Sequence, residues 1–471
     1  MGGDLPANIV EAGELLRGRR ASSLELTHEL LARAKTSQET IGAFVTFSEE
    51  SALSAARTAD EELAGGVDRG PLQGIPLAVK DILATSDAPT TANSRVLDPG
   101  WGNRADATVV RKLREAGAVL LGKLVLHEFA IGWPDPDTGF RFARNPWDLA
   151  RTPGGSSSGT GAAIAAGLIL GGLGTDTGGS IRGPAAYCGI SGLKPTFGRV
   201  SKEGCVPLAY SLDHIGPMAR TIRDCALILQ VIAGFDPLDP SSVEAPLLDL
   251  ASELNGSPRG LRIGVPSTYF FEATELNAEV RQAVLDGIDR LVAAGAGRVD
   301  VDLPHASIAA TAQRGVMFGE AYAYHQLDLQ SRSELYGKYT RQQLQLGALY
   351  SAADYVQAQR VRSLFKEEAL RALSQVDVLV VPTMLNVAPT FEGYDPDAMR
   401  RAPTFTGLWN LAGLPAASVC CGFSSVGLPI GMQIVGKPFD EATVMRVGDA
   451  YQQLTDWHLR TPTLAREVQP A

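Results

Sequence analysis

No stretch of the chain gathers enough Lys and Arg to hold a nucleic-acid backbone. The 471 residues carry 42 Lys and Arg against 52 Asp and Glu, a formal charge of −10, whereas phosphate neutralisation needs clustered basic residues. The short run GRRASS (18–23) reads as a solvated helix end. Cysteine is scarce too. The five (Cys188, Cys205, Cys225, Cys420 and Cys421) are odd in number and lack metal-ligand spacing. Adjacent Cys420 and Cys421 are poorly placed for a disulfide, so all five are expected to be reduced, mostly buried thiols of a cytoplasmic protein. None of the six histidines stands at i, i+4 from another, which argues against a zinc helix, and no metal or cofactor is expected. The opening MGGDLPANIVEAGELL lacks the basic and apolar regions of a signal peptide, and Pro6 breaks the myristoylation pattern. Long hydrophobic runs are missing as well. Residues 153–175 are uncharged, but only about half are strongly apolar, against the ~20 that a spanning helix wants. GAAIAAGLILGGLG therefore reads as a core helix packed closely on a sheet, and no membrane partner is expected.

What the chain does contain is an alternation of helix and buried strand. Ser22 and Glu25 form a capping box before LELTHELLARA, whose apolar positions recur at helical spacing, and SALSAARTADEELA is a second amphipathic helix. GIPLAVKDI and VLLGKLVL are short apolar runs of strand character, with the helical DATVVRKLREAGA between them. The pattern continues through GLRIGVP, AEVRQAVLDGIDRLVAAGA, VDVLVVPT, SVCCGF and PIGMQIVGKP. It predicts an α/β fold around a central, largely buried sheet. With no repeat or linker, one large domain over 1–471 is expected: N-terminal helices at about 6–66, a core at about 71–235 and a C-terminal part at about 258–460. VAPTFEGYDPDAMRRAPTF (387–405) reads as a long loop.

Several motifs compete for the chemistry. GSSSG (155–159) matches G-x-S-x-G around Ser157, but that elbow requires a preceding strand, and NPWDLARTPG is not one. No Gly-Lys-Ser/Thr follows, and GTGAAI does not complete G-x-G-x-x-G. GTDTGGSIRGPAAYCG (174–189) sets Ser180 behind two glycines, with Asp176 and Arg182 on either side. A surface loop can carry such a string, and so can a nucleophile presented beside free backbone N–H groups. His214 lies nearest in sequence. Spacing alone leaves a Ser-His-Asp arrangement open, although a hydrogen-bonded structural histidine is the simpler reading. Lys80, inside the apolar GIPLAVKDI, is either a snorkelling side chain at a strand end or a desolvated lysine whose neutral amine serves as a base.

The run GGSSSGTGAAIAAGLILGGLGTDTGGSIRGPAAYCGISGLKPTFGRVS (154–201) closely resembles the defining segment of the amidase signature family. The resemblance extends to GIPLAVKDI, SLDHIGPMARTIRD, NLAGLPAASVCCGF and GLPIGMQIVGKPFDEATVMRV, and so covers most of the chain in order. It implies a single α/β/α domain with a mixed sheet and a Ser-cisSer-Lys triad. Ser180 matches the nucleophile, Ser156 the bridging serine after a cis peptide from Gly155, and Lys80 the base. By the same resemblance, backbone N–H groups of Thr177, Gly178, Gly179 and Ser180 would hold the oxyanion. Asp176 and Arg182 would brace the loop, and Ser157 would support it by hydrogen bonding.

The implied activity is amide hydrolysis through a serine acyl-enzyme, without metal or cofactor. The expected partner is a small neutral apolar or aryl amide, or a carbamate or urea. The family covers these classes, and a urethanase falls within them; a homodimer is compatible with the sequence. IGWPDPDTGF departs from the family's usual polar run there and puts Trp133 and Phe140 near the expected pocket wall. The alternative is an amidotransferase A-type subunit that releases ammonia from glutamine for a partner chain. Glutamine-using relatives resemble one another in an Arg-Arg pair before a helical Leu-Gly and in an aspartate seven residues before N-x-A-G. Here those places hold Gln342 and Gln343 before Leu346-Gly347, and Pro403 before Asn410. A free-standing hydrolase is therefore expected. A degenerate scaffold is disfavoured, because all three triad positions are intact.

Overall fold

Among the described residues, eleven strands between Phe44 and Gly436 form one mixed sheet. The computed structural model describes residues 5–246, 250–393, 395, 398 and 401–464. The strands are β1 (Phe44–Phe47), β2 (Pro76–Lys80), β3 (Val119–Leu124), β4 (Gly171–Asp176), β5 (Ser191–Lys194) and β6 (His214–Ala219), then β7 (Arg262–Pro266), β8 (Gly297–Val301), β9 (Val378–Pro382), β10 (Ala416–Phe423) and β11 (Pro429–Gly436). Their order is β1-β3-β2-β4-β6-β5-β10-β11-β9-β7-β8. β2 runs parallel to β3 and β4, and β7 runs parallel to β8 and β9; the other pairs are antiparallel. Every residue of β2, β3, β4, β6, β9 and β11 is buried. A strand buried on both faces has cover on both, which is why β2, β3, β9 and β11 read as largely apolar runs and not as alternating ones. The capping box at Ser22 and Glu25 closes in both directions at the start of the helix Ser23–Thr36.

One expected element divides. The uncharged 153–175 segment is not one core helix but a helix, Ser158–Ala165, followed by β4. Gly167 lies just past the helix end at φ +68°, the left-handed position at which helices terminate. The helix sits almost on its neighbours' backbone: a Cβ on Gly159 would lie 2.4 Å from the Ala43 carbonyl oxygen. That close approach sets Ser156 and Ser157, at the helix start, over the ends of β2 and β4. Among the described residues no helix is long and apolar enough to cross a membrane. All five cysteines are free, four of them buried and Cys205 half-buried.

Candidate active site

Three segments converge at one end of the sheet: the last residue of β2, the start of the helix Ser158–Ala165, and the turn from β4 into the helix Arg182–Cys188. Lys80 is fully buried there, and its Nζ lies 2.7 Å from Ser156 Oγ and 2.7 Å from Thr175 Oγ1. Burial pushes its pKa down to about 7, against the upward pull of Cys205, Asp176 and Asp213. Near neutrality a large share of the chains thus holds a neutral amine. One of its N–H groups can donate to Thr175 while its lone pair accepts the Ser156 hydroxyl proton. The Gly155–Ser156 peptide is cis. Ser157 N–H donates to the Ser180 carbonyl at 3.2 Å, and Ser157 Oγ contacts the backbone of Thr175 at 3.2–3.3 Å. The Ser180 side chain is half-buried and makes no hydrogen bond to the described residues, so the expected second leg of a relay, from Ser156 to Ser180, is open in the free enzyme. Catalytic hydrogen bonds of free enzymes are often long and tighten only with substrate.

The turn carrying Ser180 hangs from a buried charge. Asp176 and Arg182, both fully buried, pair through Oδ1–Nη2 at 2.8 Å and Oδ2–Nε at 3.0 Å. Arg182 holds the Asp176 carboxyl well below the usual carboxylate range, against the opposing effect of burial. Arg182 also donates to the Thr406 carbonyl and to the side chains of Asn410 and Gln433, and Asn410 donates back to Asp176.

The same network corrects one assignment: the Gly179 N–H is spent on Asp176 Oδ1 at 2.8 Å and is not available to an oxyanion. The N–H groups of Thr177, Gly178 and Ser180 enter no such bond among the described residues and remain as donors. Gly179 serves differently. It stands at φ +132°, and a Cβ there would lie 2.3 Å from Thr406 Oγ1, which donates to the Gly178 carbonyl.

Ser156, Ser180, Thr177 and Gly178 line a cavity of about 540 Å³. Trp133, 8% exposed, lies in its wall. Phe140 does not. The turn Pro136–Thr138, capped by Asp135 and closed by left-handed Gly139, carries the chain away before Phe140 is reached. Gln343 and Pro403 do line the cavity, and the 387–405 stretch expected as a loop supplies Val387, Pro389 and Phe405 to its wall. His214 is buried with Nδ1 against the carbonyls of Leu212 and Asp176. It lines a neighbouring cavity and makes no bond to either serine.

Several residues escaped the sequence reading. Thr175 is the second partner of Lys80, and Asn410 and Gln433 complete the Arg182 shell. Gln433 did leave a signal, a lone amide in the apolar PIGMQIVG. His127 packs its ring against Gly155 and donates its backbone N–H to the Ser156 carbonyl; burial and Lys80 hold it neutral, with its pKa pushed down to about 4. Among the described residues no group of three His, Cys, Asp or Glu is placed to hold a metal ion.

Comparison with known proteins agrees with this architecture. A chain from a structure described as a vestigial protein complex, revealing the origins of an s-triazine catabolic enzyme, superposes with a TM-score of 0.88 at 34% identity, covering 95% of this chain and 98% of that one. A bacterial aryl acylamidase of the amidase signature enzymes superposes with a TM-score of 0.86 at 25% identity, with 98% of each chain covered. Among curated proteins, the glutamyl-tRNA(Gln) amidotransferase A-type subunit of Chloroflexus aggregans is 45% identical over 481 residues, spanning 97% of this chain and 96% of that protein. The family model described as Amidase matches residues 25–445, and with the cover and identity of these relatives it establishes that the chain belongs to the amidase signature family.

Proposed function

We propose that this amidase signature enzyme hydrolyses a small carboxamide through an acyl-enzyme on Ser180, and that the amide has no free α-amino acid head. Neutral Lys80 takes the Ser156 hydroxyl proton while Ser156 takes that of Ser180, whose oxygen bonds to the amide carbon. The N–H groups of Thr177, Gly178 and Ser180 stabilise the oxyanion; such donors are worth ~3–4 kcal/mol each in the transition state. Collapse breaks the C–N bond, and the proton on Lys80 returns through Ser156 to the leaving nitrogen. Water then attacks the ester by the same route, and Ser180 regains its proton. No step requires a cofactor. The observation that carries the reading is the contact of Lys80 with Ser156 at 2.7 Å in a fully buried setting.

The substrate limit rests on the cavity wall. Glutamine presents a carboxylate and an ammonium, which need charged partners when desolvated. Gln343 and Pro403 stand where glutamine-using relatives resemble one another in charge, and no carboxylate is found among the described lining residues. The apolar wall with Trp133 fits an aryl or aliphatic acyl group, or a carbamate.

Kinship weighs for a second reading more than for a free-standing hydrolase. The Chloroflexus relative at 45% identity is an A-type amidotransferase chain, which supports an ammonia-releasing enzyme that works with a partner protein. Ammonia or amine release from glutamine and from a panel of simple amides, measured with the purified chain, separates the two. The first reading expects turnover of simple amides, hydroxamate formation with hydroxylamine, and no activity in Ser180→Ala. A glutaminase rate that appears only with a partner chain would establish the second.

A further inference from the structure

The helix Ala306–Ser331 turns one face to the catalytic cavity through Gln313, Arg314, Met317 and Phe318, positions that share a helix side. Gln313 ties this face to the nucleophile loop, with Nε2 donating to the Thr177 carbonyl at 3.2 Å. Arg314, the next residue, is half-buried. Its guanidinium donates from Nη2 to the Ala402 carbonyl at 2.7 Å and takes part in no ion pair among the described residues. A guanidinium has five N–H donors in a planar fork, so one carbonyl leaves most of that capacity unused. Burial pushes its pKa down, with only the phenols of Tyr269 and Tyr350 acting against the shift, so no carboxylate answers the charge from the described protein side. Among its described lining residues the cavity therefore holds one cation, Arg314, and no acid. A partly buried cation without a counter-charge is costly unless a ligand supplies one.

We propose that Arg314 is the substrate anchor: the preferred amide carries an anionic group, a carboxylate in the first instance, at the end of its acyl part remote from the scissile bond. This rests on the reading of Ser180 as the acylated residue and narrows its substrate class. The Ala402 tether places the guanidinium beside the 387–405 wall, with one edge engaged and the other free for a two-point contact with a carboxylate. The arrangement differs from glutamine recognition, because a cation without an acid accepts a carboxylate but offers nothing to an α-ammonium. The expected substrates are half-amides of dicarboxylic acids with an apolar or aryl spacer against Trp133. The bond broken is the amide C–N, and the anion is a spectator.

The test uses the full chain and pairs of amides that differ only in the remote group, an ω-carboxy amide against its methyl ester, over two- to six-carbon and phenylene spacers. In the wild type, kcat/KM for the best acid should exceed that of its ester tenfold or more, mainly through KM. In Arg314→Gln that ratio should fall at least tenfold, and in Arg314→Lys it should be partly restored. Raised salt should weaken the acid's advantage. A fluorophosphonate reagent labelling Ser180 shows in every variant that the site is assembled. If Ser180 is labelled and esters are hydrolysed, but the acid-to-ester ratio is near one or unmoved by Arg314→Gln, the anchor is wrong and the acyl-enzyme reading stands. If neither amide is hydrolysed in a Ser180-dependent way, both fall.

Discussion

Replacing Lys80 by Met should abolish activity and, at neutral pH, raise stability. The wild-type amine is fully buried, and its pKa is pushed from 10.5 to about 7. At ~1.4 kcal/mol per pH unit, holding it costs the fold about 5 kcal/mol at and below neutrality. The sign comes from proton counts. Between pH 7 and 10.5 the unfolded chain binds a proton on Lys80 that the native chain lacks, so stability rises with pH across that window. Below pH 7 both states are protonated and the full penalty stands. Methionine removes the penalty but forfeits the contacts with Ser156 and Thr175, each ~1 kcal/mol net, and leaves their hydroxyls to find other partners at ~1 kcal/mol or more. The remaining gain is roughly 1–2 kcal/mol at pH 6.5, vanishing or reversing by pH 10. Urea unfolding of both proteins at pH 6.5, 8 and 9.5 measures it, alongside amide turnover. A Lys80→Met protein less stable than wild type at pH 6.5, or a difference indifferent to pH, would refute the idea that the amine is held against its solvation.

Three further outcomes are expected. In the wild type, kcat/KM for an uncharged amide should fall about tenfold per pH unit below an inflection near 7, because only the neutral amine accepts the proton; an inflection near 10 would mean an unperturbed lysine. Asp176→Asn strands the Arg182 charge in the interior and should lower stability by ~3–5 kcal/mol, read as a lower urea midpoint. Because Arg182 depresses the Asp176 carboxyl, that contribution in the wild type is present above about pH 4 and is lost only as pH falls below the ordinary carboxylate range. Gly179→Ala forces a Cβ into Thr406 at an unfavourable φ and should reduce kcat at least a hundredfold, whereas Gly178→Ala, which meets only the flexible end of Gln313 at 3.1 Å, should be milder.

Lys80, Ser156 and Ser180 are singled out through the resemblance of GIPLAVKDI and residues 154–201 to the amidase signature family, whereas residue order alone leaves Lys80 open as a snorkelling side chain and Ser180 as part of a surface loop. Strands β2, β9 and β11 stand out in residue order itself: each is an apolar run of strand length between turn residues. What lay hidden depends on distance along the chain. Asn410 and Gln433 meet Arg182 across 228 and 251 residues, and no local pattern announces that pairing. Gly179 belonged to the right loop, but its N–H was claimed by Asp176, a choice made by side-chain geometry. Phe140 failed because one capped turn redirects the chain. The split of 153–175 into helix and strand shows that two buried elements in series carry the same composition as one long helix.

The joint between β5 and β10 has a consequence for how the protein comes into being. β5 ends at Lys194 and β10 begins at Ala416, so the middle of the sheet is closed by a strand made more than two hundred residues later. As the chain leaves the ribosome from its N-terminus, the Ser180 loop emerges whole with Asp176 to neutralise Arg182, yet the Thr406 carbonyl, Asn410 and Gln433 that complete the guanidinium's hydrogen bonds are still unmade. Non-local closure of this kind is slow and leaves apolar strand edges waiting. The emerging half is thus a carrier of unpaired edges and of a guanidinium whose hydrogen bonds are incomplete, and the Ser180 loop is fully braced only when the later half arrives.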